Sequence, residues 1–300
     1  MEARQVADGV VFLRTMMVNV FFVRQGDSWF LVDTGLHGYA DSIRRTAREC
    51  MGTDAPPAAI ILTHGHFDHV GSLLPLIDRW DVPVFAHPLE RPYLTGRSPY
   101  PPPDPLTGGG SMSLLSRLYP RGPIDVGDRL MFLQEDGYIP FAPSWRWIMT
   151  PGHSPGHISL FRDADRTLIA GDAVVTTKQE SLIAVATQRR EIHGPPAYFT
   201  QDWGAAGDSV GRVAALEPEV LATGHGQPLS GPDMRRDLRA LAARFDELEV
   251  PRIGRYSKEP AITDERGIVR LPPDPLPKVL AGAAIAGIVA VALARQNRRV

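Results

Sequence analysis

Short apolar runs recur through roughly the first 170 residues, each the length of a strand and most ending beside Gly, Pro or Asp. They are Val10–Leu13, Val18–Val23, Trp29–Val32, Ala59–Leu62, Val84–Ala86, Leu130–Leu133, Trp147–Met149, Ile158–Phe161 and Leu168–Ala170. Helical periodicity is sparser. Ala40–Cys50 keeps its charges on one side and Gly71–Trp80 follows a turn. Ala205–Leu216 and Asp233–Leu248 repeat apolar residues at 3.6-type spacing, the second behind Pro232. Strands in two groups with helices between them predict an α+β or α/β domain rather than an all-β one. Two stretches, residues 88–127 and 176–203, are too rich in loop formers for long regular elements and are expected to wall or cover a pocket.

The far end has a different pattern. Residues 279–294 run VLAGAAIAGIVAVALA without a polar side chain, between Lys278 and Arg295, behind a Pro-rich stretch over 251–278 that reads as a linker. As a helix the run spans roughly 24 Å, short of a hydrocarbon core of roughly 30 Å. It is expected to be an apolar helix, either packed on a domain over 1–250 or acting as a membrane tail. The first residues lack the basic and apolar regions of a secretory signal, so the expected location is the cytoplasm, with tethering through that tail.

Composition narrows the function classes. Apolar residues are 43% and charged residues 22% of 300, as in an ordinary soluble domain. Lys plus Arg is 32 against 34 Asp plus Glu, so no global basic field draws in nucleic acid. Cys50 is the only cysteine, which excludes an intrachain disulfide and a thiolate metal site.

The histidines carry the chemistry. Thr63-His64-Gly65-His66-Phe67-Asp68-His69 follows an apolar strand, and three imidazoles with a carboxylate in six residues can serve two cations from one loop. With nine histidines in the chain, three at prescribed places arise by chance in roughly 1% of such sequences, and requiring Asp68 lowers that more than tenfold. His153, Asp172 and His225 each come just after a strand and are flanked by Gly, where a shared site is normally assembled. Asp33 is read as accepting a hydrogen bond from a ligand imidazole. His157 is read as structural, and Trp145 and Trp147 as strand packing.

The order HxHxDH, PGH, GD and GHG, with Asp33 in Leu31-Val32-Asp33-Thr34-Gly35, resembles the metallo-β-lactamase superfamily over about residues 10 to 230. The resemblance implies a four-layer αββα sandwich with metals at one edge between two sheets. It implies His64, His66 and His153 on a first metal, Asp68, His69 and His225 on a second, and Asp172 bridging. The expected complement is two Zn²⁺, with Fe or Mn also open. Asp172 together with His69 is similar to the glyoxalase II-like and lactonase-like branches. Lactam-cleaving members usually have Cys at the place of Asp172, which argues against that activity. The branches that act on nucleic acid carry an extra domain or exosite arm after the core, and those that pair with flavin append a cofactor domain, so neither activity is expected here. By this resemblance the activity is hydrolysis of a small-molecule thioester, lactone or phosphoester by a hydroxide shared between the metals, with Asp68 and Asp172 orienting it or passing a proton. The alternatives are a mononuclear iron enzyme like the persulfide dioxygenases and a non-catalytic, membrane-tethered metal-binding module. Within 176–203, Tyr198, His193 and Lys178 are candidates for the substrate side, Tyr198 because lactonase-like relatives can place a tyrosine near a substrate carbonyl.

Overall fold

The computed structural model describes residues 3–134, 136–279 and 281. Seven strands form the first sheet, in chain order: β1 (Arg4–Ala7), β2 (Val10–Thr15), β3 (Val18–Gln25), β4 (Ser28–Val32), β5 (Ile60–Ile61), β6 (Val84–Ala86) and β7 (Leu130–Phe132). The first four pair antiparallel, and β4 through β7 pair parallel. Parallel neighbours need a crossover. Helix α1 (Ala40–Met51) supplies one, and α2 (Phe67–Val70) with α3 (Leu73–Trp80) supplies the next. Between β6 and β7 come α4 (Arg91–Leu94) and α5 (Ser111–Leu115).

The second sheet contains β8 (Arg146–Met149), β9 (Ile158–Arg162), β10 (Thr167–Ile169), β11 (Val220–Ala222) and β12 (Leu229–Ser230), in the spatial order β12-β11-β10-β9-β8. Only β10 and β11 are parallel, and their crossover holds α6 (Leu182–Thr187) and α7 (Trp203–Ala215). Then come α8 (Pro232–Ala243), α9 (Phe245–Leu248) and a hairpin of β13 (Ile262–Asp264) and β14 (Gly267–Arg270).

Period-two alternation in the strands builds the layers. On β3, Val20 and Phe22 pack against Ile43 of α1 and Leu76 of α3, while Phe21 and Val23 face Ile158 and Leu160 of β9. On β10, Ile169 joins that inter-sheet core, whereas Leu168 packs with Val210 of α7 and Leu238 of α8. The order is therefore helices, sheet, sheet, helices. Each fully buried side chain of this kind contributes about 1.5–3 kcal/mol. All nine expected strand runs overlap a strand, and Trp145 and Trp147 sit in the inter-sheet core.

Several expectations change. The helix expected over Asp233–Leu248 breaks at Arg244, whose φ of −129° leaves the helical region. The stretch 88–127 is not featureless: Pro88 and Pro92 start helical turns, where a missing N–H costs nothing, and Tyr93, Leu94 and Tyr100 are buried. In 176–203, Ser181 caps α6 by accepting from the Ala184 N–H, and Tyr198, Phe199 and Thr200 are buried, so this stretch is a wall. The expected linker 251–278 folds back onto the body. Tyr256 is buried in the second helix–sheet core and donates to the Pro102 carbonyl at 2.7 Å, the Arg255 N–H donates to Asp104, and Arg117 pairs with Asp274. The apolar helix expected over 279–294 falls, apart from Val279 and residue 281, outside the described residues. Among the described residues no helix is long and apolar enough to cross a membrane.

Candidate metal centre

Strand ends at one edge of the two sheets deliver every candidate ligand. Asp33 follows β4 directly, with a φ of +58°, and its carboxylate reaches the next loop. There it accepts from the Thr63 N–H at 2.8 Å and the Thr63 hydroxyl at 2.7 Å, and it bonds His69 Nδ1 at 2.8 Å. β5 leads into His64 and His66, and α2 then presents Asp68 and His69 in its single turn. β8 leads to His153. His157 bonds the Thr150 hydroxyl through Nδ1 at 2.9 Å and accepts the Asp172 N–H on Nε2 at 2.8 Å, so it braces Asp172 as a structural residue. β11 leads to His225, whose Nδ1 lies 2.9 Å from the Met17 carbonyl. Asn19 on β3 holds that loop by donating to the Thr223 and Gly226 carbonyls at 2.8 and 2.7 Å.

The seven side chains converge. His64 Nε2 and His153 Nε2 stand 3.0 and 2.9 Å from His66 Nδ1. His225 Nε2 lies 3.0 Å from Asp172 and 3.5 Å from Asp68, and Asp172 is also 3.5 Å from His69 Nε2 and from His153 Nε2. Ligand atoms of His64, His66 and His153, of His64, His69 and Asp172, and of Asp68, His69 and His225 each fall within 4.8 Å of one another. Asp68, at 8% exposure, is the most open of these residues, the others being at 2% or less.

This arrangement fits divalent cations better than it fits hydrogen bonds alone. His66 Nδ1 faces two ring nitrogens at once, yet one imidazole nitrogen donates or accepts only once. His69 Nε2 and Asp172 Oδ1 are buried 3.5 Å apart, neither with a hydrogen bond, and a cation there would take both as ligands. Electrostatics divides the ligands. Burial, reinforced by neighbouring imidazoles, holds His64 and His66 well below the ordinary histidine pKa and takes His153 to about 3, so these rings are neutral donors. Burial also opposes charge on His69 and His225, but carboxylates outweigh it and raise both: Asp172 and Asp33 for His69, Asp172 and Asp68 for His225. Gly224 leaves no room for a side chain, since a Cβ there would meet Asp172 Oδ1 at 2.0 Å.

The substrate-side candidates separate. Tyr198 is buried beside Phe199, and Phe199 lies 4.7 Å from the His66 ring, so Tyr198 borders the centre. His193 instead faces Glu249 at 3.2 Å and Glu191 at 3.5 Å. Lys178 is half-buried, and its side chain makes no hydrogen bond or ion pair to a ligand residue among the described residues. Residues missed by sequence reasoning include Asn19, a polar side chain inside an apolar strand, and Glu90, which bonds both ligand loops.

Comparison with known proteins agrees with this geometry. A family model described as the metallo-beta-lactamase superfamily matches residues 13–225. The probable metallo-hydrolase YflN of Bacillus subtilis is 46% identical over 247 residues, 81% of this chain and 94% of that protein. BJP-1, a subclass B3 metallo-beta-lactamase of Bradyrhizobium japonicum, shares the fold at a TM-score of 0.56 and 19% identity, over 82% of this chain and 93% of that one. TTHA1623, solved in a di-iron-bound form, aligns at a TM-score of 0.50 and 24% identity, over 74% of this chain and 93% of that one. With the strand-end ligands, the layered sheets and the family match together, the chain belongs to the metallo-β-lactamase superfamily.

Proposed function

We propose that this metal-dependent hydrolase works with two cations and cleaves an ester-type bond, a thioester, lactone or phosphoester, in a substrate with an apolar group. His64, His66 and His153 would hold the first cation, Asp68, His69 and His225 the second, and Asp172 would serve both. The observation that carries this reading is the pair of adjoining donor sets, buried and with orphaned ligand atoms. Bound side by side, such cations supply hydroxide at neutral pH and polarise a carbonyl or phosphoryl oxygen. The chain's own residues do the rest. Asp33 and the Met17 carbonyl fix the tautomers of His69 and His225 by accepting hydrogen bonds from their Nδ1–H groups. Asp68, the most open ligand, is placed to pass a proton toward a leaving group. Burial, with the nearby Asp68 charge, holds the Tyr198 pKa well above the ordinary value, so its hydroxyl keeps its proton and can donate to a substrate oxygen.

The intact second set speaks against a mononuclear iron enzyme, which would need only one set. Zinc is the default for these ligands, and the di-iron form of TTHA1623 keeps iron in view. Elemental analysis of the full chain is expected to find about two metal ions per protein, together with turnover in a panel of thioesters, lactones and phosphodiesters. About one iron per chain with oxygen uptake would replace this reading by the dioxygenase one.

The substrate's apolar group is supported by a cavity of about 1010 Å³ beside the ligand loop, lined by Met16, Met17, Phe67, Val70, Leu74 and Ile124 among others. Burying a methylene is worth about 0.8 kcal/mol, so kcat/KM is expected to rise about fourfold per added methylene across a straight-chain acyl series. Leu74→Glu should flatten that rise while sparing the acetyl member. A flat series with the native protein would remove the apolar group from the proposal.

A further inference from the structure

We propose that Glu90 is a positioning residue that locks the two loops of the first cation site together, so that His66 and His153 meet at ligand spacing only while its carboxylate is in place. This rests on the ligand assignment above. Glu90 closes the helical turn Pro88–Glu90 after β6 and is fully buried. One oxygen, Oε2, accepts from the Gly65 N–H at 3.0 Å and from the Tyr100 hydroxyl. The other, Oε1, accepts from the Ser154 hydroxyl at 2.8 Å and the Gly156 N–H at 2.9 Å. Gly65 lies between His64 and His66, and Ser154 follows His153. A single carboxylate therefore clasps both loops that bring nitrogens to the first site, with four donors on its four lone-pair positions.

Tyr100 extends the clasp. Its oxygen also accepts from the Gly65 N–H at 2.8 Å, and its ring centre lies 4.3 Å from that of His66. Tyr93 stacks on the Tyr100 ring with centres 3.8 Å apart. The second donor set is tied down differently, His69 by Asp33 and His225 by the Met17 carbonyl. Loss of Glu90 should therefore weaken one site and spare the other, a selectivity that a purely structural role would not produce. Partners of metal ligands are typically worth about 10- to 100-fold in affinity.

The test is Zn²⁺ titration of the full chain against a competing chelator, with thermal unfolding alongside. Glu90→Gln turns an N–H toward a pair of donors, and it is expected to raise the first dissociation constant about 10- to 100-fold with the second unchanged. Two ions bound at native affinity, or both sites weakened alike, would overturn the proposal. Should Glu90→Gln not fold, Tyr100→Phe and Ser154→Ala each remove one donor and are expected to weaken the same single site several-fold. No change in either variant would equally overturn it. A native protein that fails to bind two ions would reject the ligand assignment itself, which separates that failure from failure of the clasp.

Discussion

Asp68→Ala is expected to lower kcat by roughly 10²–10⁴-fold in a protein that still folds. Asp68 combines two roles in the proposed chemistry, ligand to the second cation and proton carrier at the open side of the site. Its contribution to the fold is small. The carboxylate faces His225 at 3.5 Å, and among the described residues it bonds no backbone group of another element. Burial pushes its pKa up, against the pull of His69 and His225, so an ionised carboxylate is held there at a cost that a cation would offset. Removing it from the metal-free protein relieves that cost but also takes a carboxylate from beside His225, so the unfolding temperature should change little. Asp33→Ala makes the contrast, because Asp33 ties Thr63 and His69 to the end of β4 and its loss should lower stability as well as activity. Steady-state kinetics with thermal unfolding checks both variants. An Asp68→Ala protein with more than about a tenth of native kcat would take this carboxylate out of the chemistry.

Stripping the metal is expected to lower the unfolding temperature by about 8–16 °C for each cation removed. Ligand held at a thousandfold its dissociation constant stabilises by about 4 kcal/mol, and a domain approaching this size shifts by about 2–4 °C per kcal/mol. The gap should depend on pH with a definite sign. In the metal-free fold, His69 and His225 have pKa values raised above the ordinary 6.5. Their protonated pairing with carboxylates stabilises that fold below 6.5 and is lost as the pH rises through the raised values. The difference between loaded and stripped protein should thus be widest on the alkaline side and narrow on acidification. Protons compete for the same nitrogens, so acid should remove the second cation before the first, whose histidines are held low. Metal content after dialysis at stepwise lower pH checks the order. Loss of both ions together, or of the first ion first, would contradict it.

The strands and the principal candidate ligands were legible in the sequence because both are local signals. A strand declares itself by apolar residues in its own few positions, and HxHxDH lies within one loop, so its meaning does not depend on what packs nearby. His153, Asp172 and His225 could be added because each follows its own apolar run with a glycine beside it. The weakly patterned pieces were not legible. β1, β12 and the β13–β14 hairpin are short, partly exposed strands with little apolar signal, and the break at Arg244 opposes no local preference strong enough to announce it.

Only the folded chain decided which residues support the ligands. Glu90 reaches Gly65, Ser154 and Gly156 across 25, 64 and 66 residues, and Asn19 reaches Thr223 across 204. Spacing along a chain carries no trace of such contacts. The same holds for Tyr198 and His193, five positions apart, one beside the centre and the other turned to Glu249. The candidate donor set could be read in the sequence because a cation selects donor atoms that local motifs supply. Support of those ligands was settled by tertiary packing, because a buried carboxylate or amide must find its partners wherever the fold brings them.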